Sequence, residues 1–186
     1  MRDNNLNIAI FGGSFDPVHI GHEKIVQKVL DTLDLDKLIV VPTYLNPFKE
    51  KYHLNPKIRY ELLELLFEEN SQVEISDFEI LQEKPIPSIK TIEYFKNKYN
   101  PKKIFLIIGA DNLKQLHTWK NFDKLNSLVT FVVISREGYE VKNDIIQFIS
   151  IKLDIHISST ELRENLNLDF IPKKIEQKVK EIWKQE

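Results

Sequence analysis

Two histidines and a serine lie close together in the stretch GGSFDPVHIGH, which covers residues 12–22 and follows the apolar run 8–11. It contains three of the chain's five glycines and two of its five histidines. Glycines allow a ligand to approach the backbone, and the free amide groups at the start of a helix attract phosphate. Imidazoles titrate near neutral pH and can donate hydrogen bonds to oxygens that gain charge in a transition state. The stretch therefore predicts a phosphate-binding nucleotide site, with His19 and His22 as candidate catalytic residues.

Other interpretations of this stretch have less support. An H-x-x-H pair taken alone is common on helix surfaces, and a zinc site would need the H-E-x-x-H order or a further ligand nearby. The chain has no cysteine, so thiolate ligands are excluded, and we predict no metal site built from protein side chains. Neither G-x-x-x-x-G-K-[ST] nor G-x-G-x-x-G occurs. The histidines thus take the place that a lysine has in other phosphate loops.

The elements that must position these residues alternate along the chain. Continuous apolar runs predict strands buried on both faces at residues 6–11, 37–41, 103–109 and 128–135. Apolar residues at helical spacing predict helices at 22–33, 56–69, 91–99 and 111–125. This alternation predicts an α/β fold with a doubly wound parallel sheet, in which ligands bind beyond the carboxyl ends of the strands. The proline-bearing stretch 41–57 predicts a long functional loop.

The C-terminal region supplies a second candidate anion site. Three hydroxyl residues, Ser158, Ser159 and Thr160, open a predicted helix, and Arg163 follows within one turn. Simple helix capping would explain the hydroxyl groups, but the guanidinium on the same face favours phosphate binding. We expect one domain over residues 1–186, with 156–186 as a small helical C-terminal subdomain.

Composition limits the class of protein. The formal net charge of −2 gives no reason to expect nucleic acid as a partner, and the absence of cysteine excludes disulfides. No apolar run reaches 18 residues and the N-terminus lacks a signal peptide's apolar core, so we expect a cytoplasmic protein without a membrane partner. A homo-oligomer is compatible with the sequence and not required by it.

Several segments resemble one known family. Residues 12–22 resemble the [ST]-x-x-H-x-G-H signature of the nucleotidyltransferase superfamily, whose fold is Rossmann-like. Six further segments are similar, in order, to bacterial nicotinate (nicotinamide) mononucleotide adenylyltransferases: VPTYLNPFK, PIPSIKTIEYF, FLIIGADNLKQLHTWKNFDKL, VVISREGY, ISSTELRENL and FIPKKIEQKVKEIWK. The resemblance implies a step of NAD synthesis, in which adenylyl transfer from ATP to nicotinate mononucleotide gives nicotinate adenine dinucleotide and pyrophosphate.

The resemblance also implies residue roles. The ATP-binding residues would be Gly12, Gly13, Ser14, Phe15, His19, His22, Gly109, Asp111, Ser158, Ser159, Thr160 and Arg163. The acceptor-binding residues would be Lys49, Ser88, Asp111, Trp119 and Arg136, with Trp119 stacked on the nicotinate ring. Mg²⁺ would arrive with ATP. Asp16 lies inside the motif, and we expect it to fix the turn and not to contact the ligand.

The sequence departs from the family pattern at two places. Phe48 replaces a histidine of the loop motif, and Ile86 and Pro87 alter the P-S-Y-T element. The preference between nicotinate and nicotinamide mononucleotide is therefore open, as is closure of the 42–55 loop on substrate. The alternatives are another small-acceptor enzyme, such as pantetheine-phosphate adenylyltransferase, and a catalytically silent nucleotide-binding module.

Overall fold

The structure is a computed structural model of the 186-residue chain. It describes residues 6–46, 49–136, 146–154, 157, 159–164 and 167–184, without the side chains of Arg136 and Glu161.

Six parallel strands form the sheet at the centre of the fold. They are β1 (Asn7–Gly13), β2 (Lys37–Pro42), β3 (Val73–Ile75), β4 (Lys103–Gly109), β5 (Thr130–Arg136) and β6 (Phe148–Leu153). Their order in the sheet is β3-β2-β1-β4-β5-β6, and every neighbouring pair is parallel. The chain therefore builds the sheet outward in both directions from β1, which confirms the predicted doubly wound α/β fold.

Helices cover both faces of the sheet. The α-helices are α1 (Ile20–Thr32), α2 (Pro56–Phe67), α3 (Ser88–Tyr99), α4 (Phe122–Leu128), α5 (Ser159–Glu164) and α6 (Lys173–Trp183), and 3₁₀ helices lie at Ile80–Gln82, Ala110–Thr118 and Leu168–Phe170. Apolar residues of α1, α2, α5 and α6 pack on one face of the sheet, and those of α3, α4 and the Ala110–Thr118 helix pack on the other. Each strand of the sheet's middle thus buries both of its faces, as its continuous apolar sequence predicts.

Three details of the predicted elements need correction. The outer strands β3 and β6 were not predicted, because β3 is only three residues long and β6 is only partly buried. The predicted helix at 111–125 was wrong. The structure has the 3₁₀ helix Ala110–Thr118 and then α4, separated by an extended Trp119 and by Asn121 in the left-handed region at φ 55°. These two backbone conformations cannot occur inside an α-helix.

The described part of the C-terminal region contains α5, the 3₁₀ helix Leu168–Phe170 and α6. Its buried residues Leu162, Ile171, Ile175 and Val179 belong to the same apolar cluster as residues of β1 and β2. The division of 1–186 into one domain with a 156–186 subdomain stays a prediction.

The topology places three loops together. β1 pairs with β2 on one side and β4 on the other, with Gly13 opposite Pro42. The chain segments that follow these three strands therefore leave the sheet at one edge, at the point where the strand order reverses.

In the part of the chain that the structure describes, no helix combines the length and apolar character needed to cross a membrane.

Candidate active site

The turn after β1 brings bare backbone to the sheet edge. Gly12 is exposed, and a Cβ atom added there would meet no other atom within 4 Å. A Cβ at Gly13 would lie 3.0 Å from the ring of Phe15. A ligand can therefore lie directly against the Gly12 backbone, while Gly13 leaves room for the aromatic ring behind the turn.

Phe15, and not a glycine, adopts the left-handed conformation in this turn. Its φ is 47°, which is unfavourable for a bulky residue. The ring is only 1% exposed and contacts Phe11 and His22, with centroid distances of 5.3 and 4.8 Å. Burial of the ring offsets the backbone strain and fixes the direction in which Ser14 leaves the sheet. No pattern in the sequence indicates this conformation.

The two histidines share one hydrogen-bonding arrangement at the start of α1. His19 is the N-cap, and its Nδ1 accepts from the amide of Gly21 at 3.1 Å. The Nδ1 of His22 accepts from the amide of His19 at 3.2 Å, and the rings stack with centroids 3.8 Å apart. Because each Nδ1 is an acceptor, each neutral ring carries its proton on Nε2. The imidazoles are thus oriented as Nε2 donors by the helix terminus itself.

The electrostatics keep His22 uncharged. Desolvation of the ring, followed by repulsion from His19, lowers the pKa of His22 well below its ordinary value of 6.5. His22 is partly accessible by surface area, so the ring can still reach a ligand although the surrounding atoms desolvate it. A neutral Nε2–H can donate to an oxygen that gains charge without attracting anions permanently.

Helix α5 lies against the same turn. The Nη1 of Arg163 donates to the carbonyl oxygen of Asp16 at 2.7 Å, and its Nη2 donates to Thr160 Oγ1 at 2.9 Å. The hydroxyl of Ser159 donates to the carbonyl oxygen of Pro17 at 3.1 Å. The structure therefore brings Arg163, Ser159 and Thr160 to the glycine-histidine turn, although they are about 140 residues away in sequence.

Lys49 lies on the Arg163 side of the site. Its pKa is lowered from the ordinary value, first by desolvation and then by the positive charge of Arg163. It does not line the large cavity described below. Two other predicted residues lie wholly or partly outside the residues that the structure describes. Ser158 is not described at all, and Arg136 is described only by its backbone, which ends β5 at the same sheet edge.

Asp16 and Arg59 fix the turn after β1 through hydrogen bonds to the backbone. The Asp16 carboxylate, 3% exposed, accepts from the amides of His53 and Leu54 at 2.9 and 2.8 Å, as expected for a structural role. The buried Arg59 of α2 donates to the carbonyl oxygens of Ser14, Thr43, Tyr44 and Leu54. These bonds tie the loop after β2 to the turn after β1.

A cavity of about 510 Å³ opens beside the turn. Its wall contains the backbone of β1 at Gly12 and Gly13 and that of β4 at Gly109. The predicted acceptor residues Ser88, Asp111 and Trp119 also line it. A Cβ at Gly109 would collide with the carboxylate of Asp111, so only glycine lets Asp111 lie over the end of β4. Gly12 and Gly13 thus belong both to the turn that carries the histidines and to the wall of a pocket large enough for a mononucleotide, while His19, His22 and Arg163 are not among the residues that line this pocket.

Sequence reasoning missed several residues of the site. Arg59 occupies a buried position of α2, at helical spacing from the buried Pro56 and Leu62. A charged residue on the buried side of a helix was the one signal in the sequence that could have identified it. Glu79 and Lys120 line the cavity without any signal in the sequence pattern. The described residues contain no group of three or more His, Cys, Asp or Glu side chains suited to a metal ion.

The sequence is similar to a known protein family and to individual members of it. Residues 10–165 match the family model described as cytidylyltransferase-like. A probable nicotinate-nucleotide adenylyltransferase of Aliarcobacter butzleri is 47% identical over 174 residues, with 94% of this chain and 95% of the relative covered. A protein of the same description from Sulfurimonas denitrificans is 45% identical, with 96% of each chain covered.

Solved structures share the fold. The nicotinic acid mononucleotide adenylyltransferase of Plasmodium falciparum in complex with NaAD superposes with a TM-score of 0.78, covering 95% of this chain and 96% of that one. The sequence identity is 21%, so this likeness supports the architecture alone.

Proposed function

Because this chain belongs to the cytidylyltransferase-like family and, within it, to the nicotinate-nucleotide adenylyltransferases, we propose that its site joins ATP to nicotinate mononucleotide. The products are nicotinate adenine dinucleotide and pyrophosphate. The observation that carries this proposal is the contact of Arg163 with the glycine-histidine turn, next to a cavity lined by Asp111 and Trp119.

The triphosphate of ATP binds where the turn meets α5. Its phosphates lie against the backbone at Gly12, Gly13, Ser14 and Phe15. His19 and His22 donate from Nε2 to the reacting phosphoryl group, a role supported by the Nδ1 bonds that orient both rings. Arg163, with Ser159 and Thr160, binds the leaving phosphates, and Lys49 adds a second positive charge on this side.

The acceptor occupies the neighbouring cavity. Trp119 offers the nicotinate ring an aromatic surface, Ser88 a hydroxyl group and Asp111 a carboxylate for polar groups near the join of the two nucleotides. Gly109 leaves room for the Asp111 side chain at the end of β4. Ser158 and Arg136 complete the ATP and acceptor sets, respectively, as predictions from the sequence.

The reaction needs positioning more than covalent chemistry. A phosphate oxygen of the acceptor attacks the α-phosphorus of ATP in line, and pyrophosphate leaves toward Arg163. No covalent bond to the enzyme forms. Proteins of this type use a divalent metal with ATP, and we assign Mg²⁺ to the nucleotide as its companion ion, held by phosphate oxygens and water. All described groups come from one chain, so the proposal does not require a homo-oligomer.

Pyrophosphate release tests the proposal. The purified protein is incubated with Mg·ATP and, in separate reactions, nicotinate mononucleotide, nicotinamide mononucleotide or pantetheine phosphate. We expect the fastest release with nicotinate mononucleotide, together with nicotinate adenine dinucleotide as the chromatographic product. Faster release with pantetheine phosphate, or no release with any acceptor, would show that the assignment is wrong.

A further inference from the structure

Glu79 is a buried carboxyl group on the wall of the acceptor cavity. It precedes the 3₁₀ helix Ile80–Gln82, is 5% exposed and lines the cavity together with Ser88 and Trp119. The hydroxyl of Thr91 in α3 donates to its Oε1 at 2.6 Å. The salt bridges found among the described residues do not include Glu79. A carboxyl group buried without a cation is costly in its charged form.

Burial raises the pKa of Glu79 to about 7, and the hydrogen bond from Thr91 opposes part of this rise. The group therefore changes charge near neutral pH. The other charged residues of the described cavity wall are Asp111 and Lys120, and neither contributes to the shift.

The other charged residues of this segment and of the neighbouring helices are either paired with one another or exposed to solvent. On α3, Lys90 donates to Glu93, which also accepts from Lys124 of α4. Asp77 and Glu83, on either side of Glu79 in sequence, are exposed. The cavity wall supplied by the loop after β2 is uncharged, with Thr43 and Asn46. The charge of Glu79 is thus not neutralised by its surroundings.

We propose that the charge on Glu79 controls which acceptor the cavity takes, so that uncharged Glu79 admits the carboxylate of a nicotinate ring and ionised Glu79 favours a carboxamide. This inference rests on the function proposed above. The two mononucleotides have the same ribose, phosphate and pyridinium, and differ only in this ring substituent. A cavity of 510 Å³ has the volume of a sphere about 10 Å across, and at that separation, with an effective dielectric constant of about 20, repulsion between two carboxylates changes an equilibrium by roughly ten- to twentyfold.

The test is the pH dependence of acceptor selectivity in the unmodified protein. The ratio of kcat/KM for nicotinate over nicotinamide mononucleotide is measured from about pH 6 to about pH 8.5, with inhibition constants where turnover is slow. Titration of ATP and of the shared acceptor phosphate cancels in this ratio. We expect the ratio to fall roughly ten- to twentyfold as pH rises.

Two variants assign the effect to Glu79. Glu79→Gln removes the charge but retains an oxygen that can accept from Thr91, so its ratio should not change with pH and should exceed the unmodified protein's at high pH. Thr91→Val removes the donor, which raises the pKa of Glu79 further, so the midpoint of the fall should move to higher pH. A purely structural role for Glu79 would not move this midpoint.

The exposed Glu83 provides the matched control, and Glu83→Gln should leave the pH profile as it is. A flat ratio in the unmodified protein, or a Glu79→Gln ratio that still falls with pH, would overturn the inference. Either result leaves the proposed function intact, whereas absence of turnover with nicotinate mononucleotide in the unmodified protein would refute that function itself.

Discussion

At the scale of single residues, the two ring nitrogens of His22 have different roles, one in the helix cap and one in the proposed chemistry. Nδ1 accepts from the His19 backbone and belongs to the N-terminal cap of α1, whereas Nε2 is the donor that we assign to the phosphoryl group. One side chain therefore contributes to folding and to chemistry through separate atoms. Substitutions that mimic one nitrogen at a time can separate the two contributions.

The first prediction concerns this separation. Asparagine places a polar atom where Nδ1 lies, and glutamine places one where Nε2 lies. His22→Asn should retain the cap but reduce kcat by about 10²–10³, with little change in Tm. His22→Gln should retain more activity, and because a glutamine at the third helical position can also accept from the His19 amide as in a capping box, its Tm should change little. Steady-state kinetics and thermal melts measure both.

The exposed His117 serves as control, and His117→Asn should change neither quantity. Near-normal kcat in His22→Asn would contradict the assigned donor role of Nε2.

At the scale of elements, the site depends on how two loops are joined to one helix. The guanidinium of Arg59 donates to carbonyl oxygens of the turn after β1 and of both ends of the loop after β2. Burial lowers its pKa, and Asp16 opposes that shift. Since backbone carbonyls buried without donors are costly, Arg59 is the residue through which α2 sets the position of Ser14.

The second prediction follows for Arg59→Met. Methionine fills much of the volume but donates to none of the four carbonyl oxygens, so we expect a loss of about 3 kcal/mol in unfolding free energy and a fall of roughly 10 °C in Tm. KM for ATP should rise as well, because the turn loses its support. Arg59→Lys should lie between the two, since one ammonium group cannot reach all four oxygens.

The exposed Lys57 of the same helix is the matched control. Lys57→Met should leave Tm and KM close to those of the unmodified protein, and an equal loss in both variants would argue against a positioning role for Arg59.

At the scale of the whole molecule, two desolvated ionisable groups, His22 and Glu79, change the stability of the fold with pH in opposite directions. The lowered pKa of His22 means that the unfolded chain binds the extra proton below pH 6.5, so its contribution is lost as pH falls. The raised pKa of Glu79 means that the folded chain retains a proton that the unfolded chain releases above its ordinary value of 4.5. Its effect is therefore a loss of stability as pH rises from about 4.5 to about 7.

The third prediction uses the Glu79 effect. Glu79→Gln has no proton to release, so its stability relative to the unmodified protein should increase by roughly 3 kcal/mol between about pH 4.5 and about pH 8. Urea unfolding at a series of pH values measures this difference. The His22 contribution is present in both proteins and cancels. A difference that does not change with pH would show that Glu79 is ionised in the folded protein throughout this range.

Much of this protein could be predicted from its sequence because the signals are local. Four strands with continuous apolar residues and the glycine-histidine turn each depend on residues close together in the chain. The edge strands β3 and β6 and the break between the Ala110–Thr118 helix and α4 were not predictable. Short or half-exposed segments have weak periodicity, and Asn121 adopts a conformation that propensity does not reveal.

The sequence by itself determined the fold class, the family and the residue types that bind phosphate, because those depend on spacing within short motifs. Only the tertiary structure decided which of these residues meet. Arg163 reaches the turn after β1 through the order of strands, and Arg59 and Glu79 acquire their surroundings from elements distant in the chain. Burial, and with it the pKa of a side chain, is a property of the packed molecule, so no motif could have revealed it.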